Sequence, residues 1–194
     1  NFSAEIDKAA RLYHSGELTR ATNLCRRVLS TQPQHSGALH LLGVIEHKAG
    51  HYAQAVDLIG LSIKIHPNVD SAWTNLGLAY SALGQQEQAL AAYQRALALN
   101  PLSAAAMLNL GMGLSTLGRL QEAVQHYDRA IQIQPDLPEA HYNLGNGLWA
   151  LGQLFEAEHS YRRALALRPD FAEAYLNLAN TLLDLDEIPA AMDC

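Results

Sequence analysis

Apolar and small residues recur along this chain at helical spacing, and the pattern itself recurs. Between residues 70 and 103, Trp73, Leu76, Gly77 and Tyr80 fall three or four apart and form one stripe. That stripe predicts a helix with a single buried face. Gly84 follows, where a left-handed residue can end the helix without a Cβ penalty. Ala89, Tyr93 and Ala96 mark the stripe of a second helix. Asn100-Pro101 closes it, because proline has no N–H and pushes its predecessor out of helical geometry. No stretch alternates with period two for long enough to predict a strand.

The same pair of helices is spelled out along the whole chain. Pro33, Pro67, Pro101, Pro135 and Pro169 are each 34 residues apart. Gly16, Gly50, Gly84, Gly118 and Gly152 keep that step, as do Ala21, Ala55, Ala89, Ala123, Ala157 and Ala191. With proline at position 32, the repeats run 2–35, 36–69, 70–103, 104–137 and 138–171, and a truncated sixth covers 172–194. Residues 1–194 are therefore expected to form one array. Gly43, Gly77, Gly111 and Gly145 sit mid-helix, where glycine costs about 1 kcal/mol relative to alanine. A cost repeated in register implies a packing benefit: the second helix approaches where no Cβ intrudes. The alanine pairs Ala89/Ala96, Ala123/Ala130 and Ala157/Ala164 are the expected facing notches. A single pair cannot bury its stripe alone, so neighbours must stack.

The pattern Trp73-x2-Leu76-Gly77-x2-Tyr80, then Ala89-x3-Tyr93-x2-Ala96-x4-Pro101, resembles the tetratricopeptide repeat. The resemblance covers essentially the whole chain. It implies an all-α, right-handed superhelical solenoid of antiparallel helix pairs whose first helices line a concave groove. The ends depart from the pattern. Lys8-Ala9 stands where Leu-Gly is expected, Glu46 replaces an aromatic, and Asp186 replaces a turn glycine. The first, second and sixth repeats are thus expected to be least regular. The second helix of the sixth would begin near Pro189 and stop early at Cys194, which leads us to expect a fragment of a longer protein.

Composition narrows the function. Apolar residues make up 49% and charged residues 16%, too apolar a balance for a disordered chain. No apolar run reaches the ~20 residues that span a bilayer. The opening Asn1-Phe2-Ser3-Ala4-Glu5 shows no basic stretch before an apolar core, so no signal peptide is expected. Cys25 and Cys194 cannot build a disulfide framework, which fits a reducing, cytoplasmic setting. The net charge of −6 argues against a nucleic-acid binder that relies on phosphate neutralisation. Its distribution is uneven, +2 over residues 1–69 and −8 over 70–194.

The candidate site is a row of asparagines. Asn75, Asn109, Asn143 and Asn177 occupy position 6, and Asn146 and Asn180 occupy position 9. At about 100° per residue these positions face away from the stripe. Asparagine is a mediocre helix former, so its recurrence needs a reason. A carboxamide offers both a donor and an acceptor, which suits an extended polypeptide held by its backbone. The competing readings are plain solvated positions, or amides bonded to one another or to helix carbonyls. Asn143-Leu-Gly-Asn146 and Asn177-Leu-Ala-Asn180 are similar to the repeats of O-linked N-acetylglucosaminyltransferases. That resemblance implies an asparagine ladder holding substrate polypeptides, and an alternative role as the substrate-recruiting region of such a glycosyltransferase. A third role is structural self-association through the ends, where Leu182, Leu183 and Met192 lie.

Other chemistries are weaker. A chaperone-tail clamp, a known use of this fold, needs Lys and Arg on the groove face. Ser71, Thr74, Ala105, Leu108, Glu139, Tyr142, Glu173 and Leu176 stand there instead. Glu139, Glu173 and Asp184 would favour neutral or basic ligand segments. Leu78, Leu108, Met112, Tyr142 and Trp149 are expected to stack on the next first helix, with ligand pockets the lesser reading. His14, His40 and His47, beside Arg11 and Lys48, read as a surface cluster without function. Gly50 separates His47 from His51 and defeats shared-face metal ligation. No catalytic triad or phosphate loop appears, and Cys25 falls at a core position. The chain alone is expected to be no enzyme, without metal or cofactor, and to bind protein or extended peptide rather than nucleic acid or membrane.

Overall fold

The computed structural model describes residues 2–185. Among them lie eleven α-helices and no strand: α1 (Phe2–His14), α2 (Leu18–Thr31), α3 (Ser36–Lys48), α4 (Tyr52–Ile65), α5 (Asp70–Ala82), α6 (Gln86–Leu99), α7 (Ala104–Thr116), α8 (Leu120–Ile133), α9 (Pro138–Ala150), α10 (Leu154–Leu167) and α11 (Ala172–Asp184). Two compact units divide after Pro101. In the first, α1/α2, α3/α4 and α5/α6 pair, and α2 and α4 also pack on the next pair's first helix. In the second, α7/α8 and α9/α10 pair, while α8 packs on α9 and α10 on α11.

Local chemistry ends each helix at a fixed place. Gly84 follows α5 with φ 74°. Its N–H donates to Ser81 O at 2.9 Å, and the Gln85 N–H donates to Tyr80 O at 2.9 Å. This pair of bonds satisfies carbonyls that a helix end leaves orphaned, and it requires the left-handed residue that glycine supplies. The same two bonds recur at Gly16, Gly50, Gly118 and Gly152. At the other end, Asn100 before Pro101 is extended, at φ −134° and ψ 90°, as the proline ring demands.

The mid-helix glycines are where each pair closes. A Cβ on Gly77 would lie 2.4 Å from Tyr93 Cε1. On Gly111 it would lie 2.5 Å from Tyr127 Cε1, and on Gly145 2.6 Å from Tyr161 Cε1. Ile59 fills the same place against Gly43. The residue seated in the notch is thus position 24 of the repeat, on the second helix. The expected alanines, Ala89, Ala96, Ala123, Ala130, Ala157 and Ala164, are fully buried beside it. The first repeat inverts the sizes, with Ala9 for the glycine and Cys25 for the ring, both fully buried in one cluster. Burial pushes the Cys25 thiol up to about 11, which leaves it protonated and inert.

The first repeat is irregular in its packing, since α1 buries only Ala9 fully, but the helix lengths of the first two repeats are regular. Their first helices have 13 residues and their second helices 14, like the rest. Glu46 explains the second repeat. The carboxylate is buried, but the His51 Nδ1–H donates to Oε2 at 2.7 Å and the Arg26 guanidinium stands 3.6 Å from Oε1. A charge compensated in this way can occupy an aromatic's place. Asp186, Pro189, Ala191, Met192 and Cys194 lie outside the described residues. Leu182 is fully buried, whereas Leu183 is half exposed.

Each unit also carries a staple between successive repeats. The Trp73 indole N–H donates to Pro67 O at 2.7 Å in the first, and His141 Nε2–H donates to Pro135 O at 2.9 Å in the second.

Ala123→Leu should force extra methylenes into the filled α7/α8 seam and cost about 1–3 kcal/mol. Urea denaturation measures this, and an unchanged midpoint refutes the notch. The rings add a pH dependence. Burial raises Tyr127 from 10.0 to about 12. A phenol whose folded pKa is raised supports folding fully below its unfolded pKa, and that support is lost as pH rises toward the folded value. Stability should therefore hold up to about pH 10 and fall between about 10 and 12, more steeply than in Tyr127→Phe.

Candidate peptide-binding site

The six asparagines do not behave as one uniform row. Asn75 stands on α5 in the first unit; Asn109 on α7, Asn143 and Asn146 on α9, and Asn177 and Asn180 on α11 belong to the second. Five are half-buried, and Asn180 is exposed. Asn75 donates through Nδ2 to His40 Nε2 at 2.9 Å. Burial lowers the His40 pKa, which keeps its ring neutral and able to accept. The carboxamides of Asn109, Asn143 and Asn180 make no hydrogen bond to another described residue.

Asn146 and Asn177 are joined. Asn146 Oδ1 accepts from the Tyr161 hydroxyl at 2.8 Å and from Asn177 Nδ2 at 2.8 Å. Asn177 Nδ2 also reaches the Tyr142 hydroxyl at 3.2 Å. Burial, with Tyr142 beside it, pushes the Tyr161 phenol above its ordinary range, so it remains a donor. The expectation that every asparagine faces away from its own repeat therefore fails at Asn146. Position 9 lies within reach of the position-24 hydroxyl, and the amide takes that bond. The network also fixes which way each amide points. Asn146 Nδ2 is left as a donor and Asn177 Oδ1 as an acceptor.

Asn146, Asn177 and Asn180 line a cavity of about 280 Å³ together with Trp149, Ala150 and Tyr161. Trp149 is 46% exposed, and its indole N–H donates to Asp184 Oδ2 at 2.9 Å. Trp149 thus reaches the next first helix through a hydrogen bond and also lines the cavity. Met112 and Leu176 are also partly exposed.

Charge is arranged differently from expectation at one carboxylate. Glu139 is paired with Arg168. That hydrogen bond and charge hold its carboxyl below the usual range. The Arg168 guanidinium lies over the Phe171 ring at 4.7 Å, and Phe171 meets Tyr142 at 4.8 Å. Glu139 is therefore compensated within the protein, while Asp184 bonds a neutral indole. Elsewhere, the Lys48 ammonium lies over Tyr13 at 5.2 Å. Among the described residues, no group of three or more His, Cys, Asp or Glu could hold a metal ion, and no helix is long and apolar enough to cross a membrane.

The Tyr161 hydroxyl and the Arg168 guanidinium are the site residues that the sequence pattern did not single out. The first had a signal: repeat five combines an asparagine at position 9 with a tyrosine at position 24, a pair the four earlier repeats lack.

Tyr161→Phe should remove one donor from Asn146 and lower stability by about 0.5–1.5 kcal/mol. The Asn146 side-chain amide resonances should then sharpen toward free rotation. Amide signals identical to those of the parent chain would mean that the hydroxyl does not orient Asn146.

Family models described as Tetratricopeptide repeat match residues 74–138, 138–171 and 160–193. One described as Bacterial transcriptional activator domain matches residues 2–103. No curated protein matches the sequence. A thermophilic TPR protein of Thermus thermophilus is 26% identical with a TM-score of 0.75, over 94% of this chain and 100% of that one. YrrB, a TPR protein with an unusual peptide-binding site, is 25% identical with a TM-score of 0.71, over 88% of each chain. PilW, a widely conserved type IV pilus biogenesis factor, is 20% identical with a TM-score of 0.90, over 99% of this chain and 89% of that one.

Proposed function

The chain belongs to the tetratricopeptide-repeat family, and we propose that it is a protein-interaction scaffold holding an extended polypeptide across its first helices. One observation carries this reading. Asn146 and Asn177 are locked by Tyr161 and by each other, so that a fixed donor and a fixed acceptor flank one cavity. A peptide backbone presents the complementary C=O and N–H. Amides oriented before the ligand arrives lose less entropy on binding than freely rotating ones. Asn109, Asn143 and Asn180 extend the same chemistry along α7, α9 and α11. The peptide-binding site of YrrB supports the assignment of a polypeptide ligand. Asn75 is the ladder member with one of its two amide N–H donors taken by His40. The narrower role, recruiting substrates for an O-linked N-acetylglucosaminyltransferase-like enzyme, would add glycosyl transfer to the captured polypeptides by the parent protein.

Asn109→Ala combined with Asn143→Ala should weaken capture of an unstructured peptide about five- to hundredfold, from two lost hydrogen bonds. Fluorescence anisotropy with a peptide selected on the parent chain measures this. The melting temperature should scarcely move, because neither amide bonds another described residue. Equal affinity in the double variant excludes the ladder.

A further inference from the structure

We propose that the Asn146–Trp149–Asn177–Asn180 cavity is a specificity pocket for an Arg or Lys side chain of the bound polypeptide. This rests on the peptide-binding reading and adds a side-chain preference to a ladder that reads backbone alone. Three observations favour a cation. Trp149, the best cation-binding aromatic, is exposed and lines the cavity. Its indole N–H is held by the exposed Asp184 carboxylate, which places a negative charge beside the ring. From Leu102 onward the chain carries five Arg, no Lys and twelve Asp or Glu, so the surrounding field attracts a basic segment.

The protein already uses this chemistry one step away. Arg168 lies over the Phe171 ring while its charge rests on Glu139. Trp149 and Asp184 offer the same partnership of aromatic face and carboxylate to a cation from outside. A cavity of about 280 Å³ admits a long aliphatic stem with a charged head. Ala150 and the Trp149 ring suit the stem and the Asn180 carboxamide suits the head, while Asp184, bonded to the indole N–H of a lining residue, adds its charge from beside the cavity. An aliphatic side chain would fill the same volume but gain nothing from the carboxylate, and an acidic one would be repelled.

The test uses capped Gly/Ser peptides with one central Arg, Lys, norleucine or Glu, titrated against the full chain. The readout is the indole N–H resonance of Trp149. Trp73 is the other tryptophan, and Trp149→Phe assigns the signals. The Arg and Lys peptides should shift Trp149 at millimolar concentration, with norleucine about three- to tenfold weaker and Glu weaker still. The preference should shrink as salt is added. Asp184→Asn retains an acceptor for the indole N–H but removes the charge, so it should erase the preference for Arg over norleucine while leaving norleucine binding unchanged. Norleucine binding as tightly as Arg, Asp184→Asn retaining the full preference, or a Trp149 signal unmoved by the Arg peptide would each overturn the proposal. Norleucine matching Arg while Asn109→Ala/Asn143→Ala still weakens every peptide sinks the pocket and spares the ladder. A clear Arg preference with affinity untouched by that double variant supports the pocket and sinks the ladder.

Discussion

A ring pressed into a missing Cβ is the contact on which the rest of this molecule depends. In the second unit, Tyr127 occupies the notch at Gly111 and Tyr161 that at Gly145, at separations that would leave a methyl group nowhere to go. The glycines weaken their own helices by about 1 kcal/mol each, and the fully buried rings return a larger gain in apolar area removed from water. Tyr161 then does a second thing. With its ring clamped, its hydroxyl emerges at a fixed point and holds Asn146, which in turn holds Asn177. Packing inside one repeat therefore sets the orientation of amides on two successive first helices.

This coupling explains why part of the molecule could be read from sequence and part could not. Helix ends are local events. The bonds at Gly84 and the extended residue before Pro101 need only neighbours within a few positions, so the 34-residue pattern foretells them. The notch was legible as a cost without a visible return, although its occupant proved to be Tyr93 and its equivalents rather than the alanines alone. The asparagines were legible as positions on a face. Their hydrogen bonds were not, because they join residues 15 to 35 apart. Which amide is tied and which is open depends on distances that a helical wheel does not contain.

Charge gives the same lesson. Glu139 and Asp184 looked equivalent as acids on the ligand-facing side. Arg168 neutralises the first, while the second bonds a neutral indole and keeps its field. Glu46 looked like a defect and is a compensated substitution, with His51 and Arg26 supplying what an aromatic ring would not require. In each case the sequence states the residue and the neighbours decide its meaning.

The invariant turns carry one more consequence. Every described first helix has 13 residues and every described second helix 14, so the protein behaves like a text with a fixed line length. Adding one residue within α9 would rotate everything beyond it by about 100°, carrying Trp149 away from Asp184. Copying or excising a complete line would leave every seam legible. Evolution can thus lengthen or shorten such a chain in whole strides at little structural cost, while slips of a single letter are punished at once.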